Sequence, residues 1–309
     1  MRVNDGVKMS QKTAIWMDGK FSESADVPVL THSLQYGSGV FEGIRAYSSK
    51  DGVSIFRLSD HIKRFLNSAK IYSMELGYGQ KDLEEVVKSL VKRSGLASCY
   101  IRPFAFYNDH NIGLSTEGKK VSVFIAAVPF GAYFGAGKEK GISCKISSWH
   151  RINSMILPPE AKGSGNYANS VLASSEAKAS GAEEAILMSG NGYVAEGPGE
   201  NIFIVKDGKL LTPSKDADIL LGITRDTIIK IAENSGIVVH ERNIHREELY
   251  TCEEAFFCGT AAELTPIVRI DSRKVGNGRP GPITKMLSEK YSAVVTGNDA
   301  EFKGWLYYI

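Results

Sequence analysis

The sequence predicts an α+β protein of two domains. Three observations carry that expectation. Short strand-like runs mix with amphipathic helical stretches in both halves of the chain. At 309 residues the chain is long for one hydrophobic core. The pattern also pauses at Gly131-Ala-Tyr-Phe-Gly-Ala-Gly137, where three glycines in seven residues mark a linker. The expected division is a smaller domain over 1–130, a linker over 131–137 and a larger domain over 138–309.

Taken in order, residues 1–10 form a loose terminus. Ala14 to Phe21 reads as a hairpin turning at Asp18-Gly19. Residues 36–47 contain glycines that break a helix, with Phe41, Ile44 and Tyr47 as core candidates. Ser54 to Arg57 is a short strand. Leu58 to Met74 has apolar residues at helical spacing, with Ser59 placed as an N-cap. A second helix covers Lys81 to Arg93 and stops at Gly95. Cys99–Phe106 and Val121–Ala127 read as buried strands around a polar loop over 108–118. Beyond the linker come a strand over Ile142–Trp149, a helix from Tyr167 to Gly181 and two short strands. Ile202–Thr212 is a hairpin over Asp207-Gly208. Thr224–Ser235 is an amphipathic helix ending at Gly236, followed by strands at 238–242 and 255–258 and a late helix over 281–296.

Composition narrows the function classes. The chain has 37 basic and 35 acidic residues, net +2, too even a balance for a nucleic-acid or anionic-membrane footprint. The cysteines at 99, 144, 252 and 258 form no Cys-x-x-Cys pair, which argues against a zinc site, and are too sparse for a disulfide scaffold. The first residues, MRVNDGVKMSQK, lead into no apolar core, and no apolar run nears the roughly 20 residues that span a bilayer. A cytoplasmic protein is expected.

One stretch organises the rest: Pro158 to Asn201, PPEAKGSGNYANSVLASSEAKASGAEEAILMSGNGYVAEGPGEN. Lys162 sits between a rigid Pro-Pro pair and Gly163-Ser-Gly165, where backbone or ligand can approach closely. Tyr167 follows, and the stretch ends in the loop Glu196-Gly-Pro-Gly-Glu-Asn201. With YGSGVFEGIRAY (36–47), YIRP (100–103), AVPFGAYFG (127–135), LLGITRD (220–226) and CGTAAELTP (258–266), it resembles the branched-chain amino-acid aminotransferases. These belong to the fold-type IV group of pyridoxal phosphate (PLP) enzymes, and the motifs occur in that family's order and spacing.

The resemblance implies a D-amino-acid aminotransferase-like fold with the active site between the domains, and PLP as cofactor. It implies Lys162 as the catalytic lysine that holds PLP, Tyr167 as partner of the phenolic oxygen, and Glu196 as partner of the pyridine nitrogen, with Glu200 of the same loop as the competing candidate. Asn201 and Leu220 join that polar shell. The phosphate is expected at Gly222, Ile223 and Thr224, where a helix start presents free N–H groups to an anion, with Arg57 and Thr260 beside it. Substrate contacts are implied for Tyr36, Phe41, Tyr100, Arg102, Phe130, Tyr133, Thr260 and Ala261, with Arg102 accepting the distal carboxylate of glutamate. Core packing explains Phe41 and Phe130 equally well. The reaction implied is ping-pong transamination of leucine, isoleucine or valine with 2-oxoglutarate. A homodimer or larger oligomer is implied, in which Tyr36 and the loop 108–113 are lent to the neighbour. Leu221 stands where many relatives carry proline, and Phe130 where some carry tryptophan, so substrate range stays open. Other members of the fold group, a D-amino-acid or amine aminotransferase or an aminodeoxychorismate lyase, are the alternatives. A nucleotide-binding oxidoreductase lacks its glycine fingerprint between a strand and a helix.

Overall fold

The structure is a computed structural model and describes residues 13–131, 133–135 and 137–309. The expected loose terminus and two linker positions, 132 and 136, lie outside the described residues.

The first half begins with β1 (Ala14–Met17) and β2 (Lys20–Ser22), a hairpin whose turn residues Asp18 and Gly19 both have positive φ, 46° and 89°. Then follow α1 (His32–Tyr36), β3 (Gly39–Phe41), β4 (Ile44–Ser49), β5 (Gly52–Phe56), α2 (Leu58–Ile71), α3 (Gln80–Ser94), β6 (Cys99–Tyr107) and β7 (Val121–Val128). Leu58, Ile62, Phe65 and Ala69 form the buried stripe of α2, at the helical spacing that the sequence shows. Arg57, not Ser59, caps that helix, in a left-handed conformation (φ 49°, ψ 41°). The Ser59 hydroxyl instead donates to Glu84 at 2.6 Å and meets Tyr307 at 2.7 Å.

The second half contains α4 (Gly137–Lys140), β8 (Ile142–His150), α5 (Tyr167–Ala179), β9 (Glu184–Met188), β10 (Val194–Glu196), β11 (Asn201–Lys206) and β12 (Lys209–Thr212). It continues with α6 (Ile223–Asn234), β13 (Val239–Glu241), α7 (Glu248–Thr251), β14 (Glu254–Gly259), β15 (Glu263–Ile270), β16 (Arg273–Lys274), α8 (Pro282–Val295) and β17 (Leu306–Tyr308). Proline at the first position of α8 suits a helix start, because its missing N–H has no partner there.

Two sheets organise these elements. The first runs β17-β5-β4-β6-β7-β1-β2, with β3 also on β6; the second runs β10-β9-β8-β15-β14-β11-β12-β13, with β16 on β15. Strand β17, which the sequence reading assigns to the larger domain, therefore pairs with β5 in the first sheet. The sequence reading assigns no strand to two of these regions. Residues 39–49 form β3 and β4 on either side of Gly43, which lies against Tyr100: a Cβ there would come within 2.0 Å of the tyrosine hydroxyl. β15 is central although it contains Pro266. Pro266 lies opposite Phe256 of β14, and the pairing to β8 begins only at Ile267.

Candidate active site

The lysine segment folds onto the first sheet. Phe41 N–H donates to the Lys162 carbonyl at 2.9 Å, and Val40 bridges to Gly163. The Lys162 side chain then reaches the start of α5, where Nζ donates to Tyr167 Oη at 2.6 Å. This pair stands on the wall common to two chambers. One is polar and extends to Glu196, Asn201, Leu220, Gly222, Ile223, Thr224 and Thr260. The other, the roomier, is walled by Phe41, Tyr100, Arg102, Phe104, Tyr133 and Ala261.

Glu196 is buried at the end of β10, only 5% exposed. Arg151 pairs with it at 2.7 Å, Asn201 Nδ2 donates to it at 3.0 Å, and Leu220 N–H donates at 3.1 Å. Burial nonetheless outweighs these partners and holds its carboxyl above the ordinary range. Glu200, on the wall of both chambers, is pushed up to about 8, first by burial and then by the charge of Glu184. Its carboxylate accepts the Gly199 N–H at 3.0 Å, and among the described residues no basic side chain is bonded to it. The two glutamates thus divide by partner: Glu196 has a guanidinium and Glu200 has none.

The helix α6 opens at the far end of the polar chamber. Its N-cap is Gly222 and makes no side-chain capping bond, so the first-turn N–H groups face the cleft without a side-chain acceptor. Gly222 is required by its neighbour: a Cβ there would lie 2.0 Å from Asn201 Oδ1.

Arg57 does not line this chamber. Its guanidinium lies behind the first turn of α6, donating to Asp60 at 2.6 Å, Asp226 at 2.5 Å, Thr227 at 3.0 Å and the Ile223 carbonyl at 3.2 Å. Two arginines do stand on the chamber wall: Arg151, beside Glu196, and Arg64, two turns further along α2 than Arg57. Arg64 grips Glu42 through Nε at 2.6 Å and Nη2 at 3.0 Å, while Nη1 donates to the Leu221 carbonyl at 2.9 Å. Glu42 is fully buried and also meets His61 Nδ1 at 2.8 Å. Although burial alone would raise its pKa, Arg64 and His61 hold it far below the carboxylate range. The sequence reading missed Arg64, Glu42 and Arg151. A glutamate enclosed by Phe41 and Gly-Ile, and a His-x-x-Arg on an amphipathic helix, were the available signals for the first two.

In the apolar chamber, Phe41 packs on Tyr167 with ring centres 4.8 Å apart. Arg102 stacks over Phe41 at 4.6 Å and donates through Nη2 to Tyr100 at 3.1 Å. Its Nε is buried and has no hydrogen-bond partner among the described residues, which leaves a donor unspent. Phe130 stands behind the wall, 5.0 Å from the Tyr100 ring, and does not face the cavity. Tyr36 is not brought to either chamber. It is 42% exposed at the end of α1, with its hydroxyl bonded to the Ile112 carbonyl.

The sequence profile of the family described as Amino-transferase class IV matches residues 39–270. The chain is 45% identical over 294 residues to the branched-chain-amino-acid aminotransferase of Pseudomonas aeruginosa, covering 94% of this chain and 95% of that one. Among solved structures, it is similar to the branched-chain aminotransferase of Thermoproteus uzoniensis with norvaline. The TM-score there is 0.91 at 45% identity, over 95% of this chain and 98% of that one. The branched-chain amino acid aminotransferase of Thermobaculum terrenum in its PLP form is similar too, with a TM-score of 0.90 at 37% identity over 96% of this chain and 99% of that one. The polar and apolar chambers around Lys162 therefore lie in a chain that belongs to the class IV aminotransferase family.

Proposed function

We propose that the chain transfers the amino group of L-leucine, L-isoleucine or L-valine to 2-oxoglutarate, with PLP as cofactor and in two half-reactions. The observation that carries this reading is the position of Lys162 Nζ, held by Tyr167 at 2.6 Å between a polar and an apolar chamber. The residues of the polar chamber fit PLP: an amine, a buried carboxylate for a pyridine nitrogen, and a helix start with no side-chain cap for a phosphate. When bound, PLP supplies an electron sink that makes the hydrogen on the substrate α-carbon acidic.

The side chains around it have separate tasks. Lys162 would hold the cofactor and, once displaced by substrate, would carry the proton from the substrate α-carbon to the cofactor's C4′ position. Tyr167 orients that amine. Glu196, kept in place by Arg151 and Asn201, would hold the pyridine nitrogen protonated. The phosphate would be held by N–H groups at Ile223 and Thr224, by Thr260, and by Arg57. Among the described residues Arg57 gives Nε to Asp60 and Nη1 to Asp226, Thr227 and the Ile223 carbonyl, which keeps Nη2 for an anion, whereas Arg64 on the chamber wall has all three nitrogens engaged by Glu42 and the Leu221 carbonyl. In the apolar chamber, Phe41, Tyr100, Tyr133 and Ala261 would enclose an aliphatic side chain. The spare Arg102 donor suits the second carboxylate of 2-oxoglutarate or glutamate, so one chamber would serve both substrates. A homodimer in which Tyr36 and the 108–113 loop complete the neighbour's chamber accords with the exposure of Leu34, Tyr36, Ile112 and Leu114. We assign the biosynthetic direction and a cytoplasmic location; among the described residues no helix is long and apolar enough to cross a membrane.

The test is the visible absorption of the purified protein reconstituted with PLP. A visible band that L-leucine bleaches and 2-oxoglutarate restores is expected. A band indifferent to L-leucine but bleached by D-alanine or a simple amine overturns the substrate assignment. No band at all overturns the role of Lys162.

A further inference from the structure

The Lys162 segment belongs by sequence to the second half of the chain, yet the first half holds its backbone. The Lys162 carbonyl accepts from Phe41, Ser164 N–H donates to the Gly39 carbonyl at 2.7 Å, and Gly165 N–H donates to the Gly37 carbonyl at 2.9 Å. Residues 162–165 thus lie along residues 37–41 like a short added strand. That pairing leaves the Lys162 N–H without a backbone partner, and Ser68 supplies one: the amide donates to Ser68 Oγ at 3.0 Å. Ser68 is on α2 and 1% exposed. One turn on, Tyr72 Oη donates to Asn166 Oδ1 at 3.3 Å, and Asn166 Nδ2 donates to the carbonyls of Pro158 and Ala161, each at 3.0 Å. Tyr72 also packs directly on Gly163, where a Cβ would meet its hydroxyl at 2.4 Å.

Residues 64, 68 and 72 succeed one another at four-residue spacing, so they share one face of α2. That face sends Arg64 to the turn before α6 and Ser68 and Tyr72 to the lysine segment. A lysine amine stands roughly 6 Å from its Cα, five bonds away. A backbone rotation of about 10° at this pivot would move the amine by about 1 Å, a displacement that can cost about a hundredfold in rate.

We propose that Ser68 is a positioning residue for Lys162: its hydroxyl fixes the lysine backbone from α2, so that the amine moves between Tyr167 and the substrate α-carbon from one anchored pivot. This rests on the reading of Lys162 as the proton-carrying amine. Reactant geometry, not substrate affinity, is what the contact would set.

The experiment compares Ser68→Ala with Ser94→Ala as a control. Ser94 is another buried serine, bonded to the Val91 carbonyl at the end of α3 and not on either chamber wall. Steady-state rates with L-leucine and 2-oxoglutarate, the pH midpoint of the visible band of the PLP-loaded protein, and the melting temperature are measured for each. Ser68→Ala is expected to lower kcat about tenfold with KM within about twofold, and to move the pH midpoint by about half a unit or more. Ser94→Ala is expected to leave kcat and midpoint unchanged whatever its melting temperature. Tyr72→Phe, which removes only the bond to Asn166, should move the midpoint in the same direction by less. A Ser68→Ala protein with unmoved kcat and midpoint overturns the proposal, as does an equal loss in Ser94→Ala. Should Ser68→Ala not fold, an unmoved midpoint in Tyr72→Phe overturns it instead. Lys162→Ala separates the two readings: a visible band retained there means that the role of Lys162 itself is wrong.

Discussion

Replacing Gly222 by alanine probes the joint between the phosphate turn and the Glu196 carboxylate. The new Cβ would lie 2.0 Å from Asn201 Oδ1, 3.2 Å from its Cγ and 3.3 Å from Arg225 Cβ. Only the asparagine amide is free to move, and its movement breaks two bonds from Nδ2, to Glu196 at 3.0 Å and to the Leu220 carbonyl at 2.9 Å. A bond to a charged acceptor is worth about 1.5–3 kcal/mol and a neutral one about 0.5–1.5 kcal/mol. Alanine restricts the unfolded chain and offsets about 0.4–1 kcal/mol of this. The net loss should be about 1–4 kcal/mol, read by urea unfolding of the protein without PLP. Retention of PLP through dialysis should fall in parallel, because the same movement disturbs Glu196. In an Asn201→Ala background the glycine substitution should cost almost nothing, since the clash is gone. A Gly222→Ala protein within about 0.5 kcal/mol of the parent would refute the steric argument, that being the usual spread for an innocuous change.

Two further outcomes follow from the buried charges. Glu200 keeps its proton to about 8 in the fold, whereas an unfolded glutamate releases it near 4.5. Between those values the folded state binds more protons, so without PLP this group makes stability fall as pH rises through that window. Glu200→Gln should remove that slope and gain stability over the parent at about pH 8 but not below pH 4.5, which chemical denaturation at the two pH values tests. Arg64→Met should destabilise by about 3–5 kcal/mol, because it leaves the Glu42 carboxylate buried without its guanidinium. Adding Glu42→Gln should recover part of that loss in a thermal melt.

How much of the site is legible in the sequence depends on distance along the chain. Lys162, Tyr167, Glu196 and Asn201 fall within about forty residues of one another, and a family pattern spans them. Helix boundaries were equally accessible, because glycine at 95 and 236 and proline at 282 act locally. Long-range pairings were not. Arg57 and Arg64 share one helix, and nothing local says which of them faces the cleft; the choice is made by Asp226 and by Glu42, which come from other elements. Arg151 sits after a strand with no motif around it, and only folding brings it to Glu196. β3 was hidden because glycine lowers strand propensity, while the need for Gly43 between β3 and β4 comes from Tyr100 on a different strand.

The pairing of β17 with β5 bears on how the chain comes to be made. Leu306 lies opposite Phe56, and the Ser54 hydroxyl on β5 also donates to the Val295 carbonyl at 3.1 Å. During synthesis, β5 emerges long before its partner, so the first sheet waits with an open edge until residues 306–308 leave the ribosome. An open edge is a template for pairing with other chains. Premature termination anywhere between β15 and β17 would therefore release a protein whose earliest-made layer is the one left sticky.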